Sequence, residues 1–397
     1  MNRIQNLDCF QKTVLVRGDL NVPVKNGVVT DSTRLESLQE TIHFLKSQQA
    51  KIVVLSHFGR PTPADSPNFY EKKYSLEFLR PILEETYGIP FSFVNNCIGG
   101  DVQKTMAALP FGAGLLLENV RFHAGEENND AAFSKALSQG VDIYVNDAFS
   151  CSHRAHASMV GITHFLPSAA GFSLQKELDT LTPLFESPDH PLIALVGGSK
   201  VSTKLDLLQN LCAKVDYVLV GGAMAHTFWV AMGYGVGKSL YEPDYVETAH
   251  RILQTHGNKI KLPIDCVVAN RLENPDHVWV VPFNEIPEEA FVFDVGPETI
   301  SKTGELLQNA KTFVWNGPVG AFEFPPFHEG TVATARMIGK LSQQGTLKSV
   351  AGGGDTLAAL DMAGVKDQFT YLSTAGGAFL EWLEGKTLPG VAALGDN

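Results

Sequence analysis

Short runs of apolar and β-branched residues recur along the chain, alternating with longer stretches whose apolar positions fall three and four residues apart. In the first half the runs are 13–16 (TVLV), 52–55 (IVVL), 114–117 (GLLL) and 143–145 (IYV). In the second they are 192–196 (LIALV), 217–220 (YVLV), 264–268 (IDCVV), 312–315 (TFVW), 348–351 (KSVA) and 369–372 (FTYL). Strands that are apolar throughout, rather than at alternate positions, are buried on both faces, as in parallel sheets covered by helices. Between the two sets, residues 172–186 place Leu174, Leu178, Leu181 and Phe185 at helical spacing, and SPDHP (187–191) follows. This reads as a helix, a proline-rich break and a new domain. The pattern predicts an α/β chain of two lobes, each a parallel sheet with helices on both faces, joined by a hinge.

Ligands of open parallel sheets bind beyond the carboxyl ends of the strands, so the segments there carry the chemistry. In the first half they read RGDLN (17–21), SHFGR (56–60), ENVRFH (118–123) and NDAFSCSHRAH (146–156). Arg17, Arg60, Arg121 and Arg154 recur among them, with His57, His123, His153 and His156. In the second half they read GGSK (197–200), GGAM (221–224), NGPVG (316–320), GGGDT (352–356) and STAGG (373–377). Guanidinium groups trap phosphate or carboxylate on a small molecule. Glycine lets backbone amides close on a polyphosphate at a helix N-terminus. One such loop is as well explained by chain reversal; nine loops segregated by type between the halves point to function. Lys200 and Lys204 are expected on one face of a helix, within reach of phosphates held by Gly197 and Gly198. Asp355 is of the right type for a Mg²⁺ that travels with a nucleotide, and equally for a helix N-cap. Glu323 could bond ribose hydroxyls or be an ordinary loop acid.

Composition narrows the field. At 397 residues, 44% hydrophobic, the chain is long enough for two or three domains with cores. The formal charge of −12 argues against a general basic coat for nucleic acid or anionic lipid. The start, MNRIQNLDCF, lacks the apolar region of a signal peptide, and no run of about 18 apolar residues could span a membrane. Five scattered cysteines without a CxxC fit small buried side chains in a reducing compartment, so a cytoplasmic location is expected.

Several tempting matches fail. GYGVGKS (233–239) looks like a phosphate-binding P-loop, but Met232 occupies the first glycine position and the preceding residues read as helix. No G-x-G-x-x-G is present, which argues against a nicotinamide dehydrogenase, and a solute receptor would need an export signal. Arg17-Gly18-Asp19 spells an adhesion tripeptide but directly follows a buried-strand pattern. No zinc spacing or G-x-S-x-G elbow occurs. No general base is evident either, which is tolerable when both reacting groups are already anionic.

Taken together, RGDLNVPV, SHFGRP, ENVRFH, NDAFSCSHRAHASMVG, GGSKVSTKL, DVGPET, WNGPVGAFEF, GGGDT and STAGGAFLEWLEGK resemble the motifs of phosphoglycerate kinases, in family order over essentially the whole chain. The resemblance implies two Rossmann-like lobes. It also implies reversible phosphoryl transfer from 1,3-bisphosphoglycerate to Mg-ADP, giving 3-phosphoglycerate and ATP. Matched by motif, Asp19, Asn21, Arg34, His57, Arg60, Arg121 and Arg154 resemble the phosphoglycerate site, with Arg34 nearest the transferred group. Lys204 resembles the lysine that follows the phosphoryl group, with Lys200 nearby on the nucleotide side. Glu323 resembles the ribose ligand, Gly353, Gly354, Asp355 and Thr356 the phosphate and Mg²⁺ loop, and the amides of Gly376 and Gly377 those that steady the transition state.

On this reading residues 1–171 bind phosphoglycerate, 172–187 form the interdomain helix, 188–378 bind nucleotide and 379–397 return to the first lobe. Hinge closure would bring Lys204 and Arg34 together across a cleft. A monomer with no nucleic-acid or membrane partner is expected. Gly18, Ala223, Ala321 and Ala375 depart from the usual family pattern, each by a methyl or two, and Ala375 bears on the geometry of the last amide nest.

Overall fold

The computed structural model describes residues 1–62 and 71–395. Its contacts divide the chain into two units, Met1–Asp179 with the residues from Thr387 onward, and Thr180–Lys386. The first division falls inside the segment 172–187. The second falls after the helix Gly377–Leu383, which therefore belongs whole to the second unit although most of it lies beyond position 378. Asp396 and Asn397 of the expected returning segment lie outside the described residues.

The first unit is built on a six-stranded sheet, ordered Phe91–Val94, Gly114–Leu117, Lys51–Leu55, Thr13–Gly18, Ile143–Asp147, Ser168–Ala170. Every pair is parallel. The central strands are apolar and buried almost throughout, because helices cover the sheet. Strand Thr13–Gly18 lies between Lys51–Leu55 and Ile143–Asp147, so the loops leaving these strands run in opposite directions and open a crevice at their carboxyl ends. A helical turn, Pro389–Ala392, closes this unit; Asn146 Nδ2 donates to the Gly390 carbonyl at 3.0 Å.

In the second unit the sheet order is Ile260–Lys261, Tyr217–Val220, Leu192–Val196, Thr312–Asn316, Lys348–Gly352, Tyr371–Ser373, again all parallel. Leu192–Val196 stands between Tyr217–Val220 and Thr312–Asn316, which brings the loops after these three strands to one place. The run 264–268, expected in this sheet, instead forms the centre of a separate antiparallel sheet. There Asp265–Ala269 pairs with Val278–Pro282 and Phe291–Val295. Helix Pro297–Asn309 starts on the buried Asp265 carboxylate, which accepts from the amides of Glu298 and Thr299 at 2.9 and 2.8 Å. No helix among the described residues is long and apolar enough to cross a membrane. The segment 172–186 is two helices, Phe172–Leu181 and Pro183–Glu186. Pro183 starts the second, since it can open a helix but lacks the N–H to continue one.

Candidate functional site

In the first unit the carboxyl ends of the strands gather a cationic cluster around His57. Asp19 and Asn21 follow strand Thr13–Gly18, Arg34 rises from the short helix Thr33–Ser37, and His57 follows Lys51–Leu55. Arg121 sits in the turn Val120–Phe122, which Asn119 caps through the Arg121 amide. Arg34 forms an ion pair with Asp19 at 3.0 Å and donates to the Asn21 carbonyl at 2.7 Å. The Asn21 side chain in turn accepts from the Gly59 amide at 2.9 Å, and Arg121 donates to the Gly59 carbonyl at 2.6 Å. These contacts fix guanidinium positions through backbone, leaving charge to spare. Arg60 is exposed on the same loop, and Arg154 is half-buried with its Nε 3.2 Å from His153 Nε2.

His57 shows what this costs. Burial, and then the charges of Arg17, Arg121, Arg154 and Arg34, hold its pKa well below the usual imidazole value, so it is neutral. Burial and the neighbouring Arg154 also depress Arg121. Converging cations of this kind are relieved by an anion. The carboxylate of Asp19, the imidazole of His57 and the thiol of Cys151 have ligand atoms within 4.8 Å of one another. They are nevertheless poor cation ligands: the arginines oppose a metal ion, and burial raises the Cys151 thiol. Arg17 is not a ligand of the crevice. It is 2% exposed, bonded to Ser158 Oγ at 3.0 Å and to the Gly18 carbonyl, with NH2 3.1 Å from His57 Nδ1. At Gly18 a Cβ would lie 2.4 Å from Leu38 Cδ1, so a larger residue there requires the Leu38 side chain to shift.

In the second unit the glycine loops meet one another. A Cβ on Gly197 would lie 1.9 Å from the Pro318 carbonyl oxygen, so the GGSK and NGPVG loops can touch only through bare backbone. Lys204 is tied into this junction. Its Nζ donates to the Gly197 carbonyl and to Asn316 Oδ1, both at 2.6 Å, and burial lowers its pKa to about 8 while Asp355 works in the opposite direction. Lys200 does not share a helical face with it. The helix begins at Leu205 with Lys204 at its N-cap, because residues 198–203 follow the glycine turn in bent conformations, and Lys200 is exposed on that loop. Asp355 is not an N-cap either; Gly353 holds that position, and Asp355 lies exposed in the first turn of helix Gly354–Ala363. Thr356 is buried and accepts from the Gly317 amide at 2.8 Å. Gly376 caps helix Gly377–Leu383, with Ala375 buried before it.

A cavity of about 360 Å³ lies beside these loops. Gly198, Gly222, Asp355 and Glu323 contribute to its wall, as do Phe291, Phe293, Val319 and Leu240. It combines an apolar slot with a polar, glycine-lined end, as a nucleotide requires. A larger cavity of about 620 Å³ beside helix Pro297–Asn309 is lined by Ile193, Leu195, Leu219, Ile300 and Leu306; it touches Val319 of the NGPVG loop but no loop glycine. Size does not mark the site; the polar groups do. The segment 233–239 is no phosphate loop. It is a turn after helix Ala223–Ala231, and Ser239 Oγ in it accepts from the Val292 amide at 2.8 Å.

A profile of the family "Phosphoglycerate kinase" matches residues 4–386. The chain belongs to the phosphoglycerate kinase family. It is 52% identical over 386 residues to the phosphoglycerate kinase of Methylobacterium radiotolerans, covering 96% of this chain and 95% of the relative. To that of Rhodospirillum centenum it is 50% identical over 395 residues, covering 99% and 98%. Among solved structures, phosphoglycerate kinase from Coxiella burnetii superposes with a TM-score of 0.90 at 40% identity, covering 99% of this chain and 98% of that one. The enzyme from Pyrococcus horikoshii superposes with a TM-score of 0.82 at 30% identity and the same coverage. The family's reaction is reversible transfer of a phosphoryl group between 1,3-bisphosphoglycerate and ADP, so the chain is a phosphotransferase of glycolysis.

Three parts of the site escape a reading of motifs. Asn316 holds Lys204 through Oδ1 and reaches the Gly352 carbonyl through Nδ2 at 2.8 Å, joining two loops. Asp294, in DVGPET, is buried and accepts from the Gly330 amide at 2.7 Å; burial raises its pKa to about 7. Phe291 and Phe293 of FVFDV, with His226 and Trp229 of HTFWV, line the slot, and only the density of aromatic residues along the sequence could have marked them.

Proposed function

We propose that the first unit binds phosphoglycerate and the second binds ADP or ATP, with in-line transfer assisted by Arg34 and Lys204. What chiefly supports this is the division of chemistry: guanidinium groups crowd a neutral His57 in one unit, while a glycine-lined cavity adjoins Lys204 in the other. Asp19, Asn21, His57, Arg60, Arg121 and Arg154 would hold the carboxylate and phosphate of the three-carbon acid. Arg34 keeps one guanidinium nitrogen committed to Asp19 and Asn21, leaving the rest of the fork for the transferred group.

On the other unit, Glu323 would bond the ribose. Lys200, Lys204 and the amides around Gly353, Gly354 and Thr356 would meet the phosphates. Asp355 suits Mg²⁺, being an exposed carboxylate on the cavity wall beside the phosphate loops. When bound, Mg²⁺ would neutralise phosphate charge; the chain's own contribution is to orient the nucleotide and supply positive charge. The amides of Gly376 and Gly377 open a helix and point partial positive charge at the transferred group. Both reacting oxygens are anionic from the outset, so no general base is needed.

The reactants sit on separate units, so transfer needs a closing motion about the segment 172–187 that also excludes water. A monomer acting in the cytoplasm fits this reading, and the five cysteines are buried and unpaired. The deciding experiment is Mg-ATP-dependent phosphorylation of 3-phosphoglycerate, coupled to NADH oxidation. Turnover that needs both substrates is expected; a folded sample inactive with Mg-ATP would sink the reading.

A further inference from the structure

The larger cavity, of about 620 Å³, is a gap in the cover of the second unit's parallel sheet. Register partners in a parallel sheet carry their side chains on the same face. Leu195 pairs with Leu219, Leu219 with Lys261 and Ile193 with Tyr217, so these five share one face, and all five line the cavity. Towards strand Thr312–Asn316 that face is closed: Phe313 and Trp315, the partners of Ile193 and Leu195, are fully buried. Towards the edge strand Ile260–Lys261 it stays open. Helix Pro297–Asn309 supplies Ile300 and Leu306 to the facing wall, and these, like Tyr217 and Leu262, are only half-buried.

Water over an aliphatic floor is unfavourable, and a concave apolar wall of this volume has the form of a small-molecule site. The charges at its edge describe the molecule. Of the five residues on the sheet face, Lys261 alone is charged. Its ammonium donates to the Asn258 carbonyl at 3.0 Å and lies 4.9 Å from the centre of the Tyr217 ring. No carboxylate pairs with it among the described residues. The other charged groups of the wall, Lys302 and Glu305, pair with each other at 3.0 Å. One uncompensated positive charge beside an aliphatic floor is complementary to an apolar body with a single anionic group. Pro263, Val295 and Val319 line both this cavity and the smaller one, so the two share a wall.

We propose that the larger cavity is a second binding site, for a monocarboxylic acid with an apolar body of about seven to twelve carbon atoms. The carboxylate meets Lys261, and the body, pressing on Val295 and Val319 from behind, weakens nucleotide binding. The coupling rests on the assignment of the smaller cavity to ADP and ATP; the site itself does not.

Octanoate is the probe, with 1-octanol as its uncharged counterpart. Calorimetry on the whole chain should give saturable binding of one octanoate, about tenfold tighter than 1-octanol. Lys261→Met keeps the apolar stem and removes the charge, and should lower the octanoate affinity to that of the alcohol. Ile300→Trp fills the cavity from the helix and should abolish binding of both. No saturable binding by the wild type overturns the site, as does an octanoate affinity that either folded variant leaves unmoved. Should Ile300→Trp not fold, the Lys261→Met comparison decides alone. Saturating Mg-ATP should weaken octanoate about fivefold with both ligands still bound. An unchanged or tighter affinity overturns the coupling. Complete mutual exclusion puts octanoate in the nucleotide cavity and overturns the site. A chain that binds octanoate but no ATP defeats the nucleotide assignment, and the coupling with it, while upholding the site.

Discussion

The Nζ of Lys204 lies 2.6 Å from Asn316 Oδ1, and the Asn316 amide nitrogen donates to the Gly352 carbonyl at 2.8 Å. The ammonium is thus held by neutral dipoles. No carboxylate touches it among the described residues, and its pKa falls to about 8 through burial. A cation kept this way is poorly compensated until an anion arrives, which is what a group serving a phosphoryl in transit needs.

Replacing Lys204 by alanine should reduce kcat by about 10²–10³, the scale found when one charge-stabilising donor is removed. Arg34→Ala should act similarly. The melting temperature of Arg34→Ala should fall by about 2–4 °C, because Arg34 is partly exposed but its removal leaves the buried Asp19 carboxylate without its ion-pair partner. Steady-state kinetics and thermal melts on the same samples check this, and near-normal turnover would remove either residue from the mechanism. For the wild type, kcat/KM for Mg-ADP should decline as pH rises through about 8, as the free protein loses the Lys204 charge.

Acid stability carries a second prediction. His226 has a folded pKa near 4, below the unfolded value of about 6.5, so between these values the unfolded chain binds more protons. Its contribution to stability is present above about pH 6.5 and is lost as pH falls towards 4. His226→Phe keeps an aromatic ring against Trp229 and removes the titration. Its unfolding free energy should drop by about 2 kcal/mol less than the wild type's between pH 7 and pH 4.5. Tryptophan fluorescence is the natural probe, because all four tryptophans lie in the second unit. Parallel pH profiles for the two proteins would show that His226 is not the group involved.

Gly18 and Leu38 should behave as one packing unit. Gly18→Val drives a side chain into Leu38 and should destabilise by about 1–3 kcal/mol. Leu38→Ala alone opens a cavity and costs about 2–5 kcal/mol. The double variant should be more stable than the sum predicts by at least about 1 kcal/mol, as a double-mutant cycle in urea would measure. Strict additivity would mean that the two residues do not share the space.

Asp355→Asn should raise the Mg²⁺ concentration needed for half-maximal activity severalfold, leaving the KM for 3-phosphoglycerate unchanged. Titration of Mg²⁺ at fixed nucleotide measures it. An unchanged Mg²⁺ requirement would assign the exposed carboxylate to the surface only.

The fold was legible where burial on both faces writes itself as unbroken apolar runs, as in LIALV and KIVVL. It was not legible in FSFV at 91–94, which alternates because it is an edge strand with Ser92 exposed, or in the small residues of 168–170. The run at 264–268 has the composition of a parallel strand but pairs antiparallel, and composition does not record a partner. In the site, residue types at strand ends could be read. Lys200 and Lys204 were misplaced because the i, i+4 spacing presumes a helix that begins only at Leu205. Asn316 was invisible for a different reason. Its importance lies in what its polar atoms meet, Lys204 from 112 residues away and the Gly352 carbonyl from 36.

The return of the chain to the first unit sets an order of assembly. A ribosome releases residues 180–386 before the segment that supplies the Gly390 carbonyl to Asn146 and the Leu394 carbonyl to the Asn2 amide. The contiguous second unit can therefore complete its sheet during synthesis. The first must wait, its six strands made early and its closing turn made last.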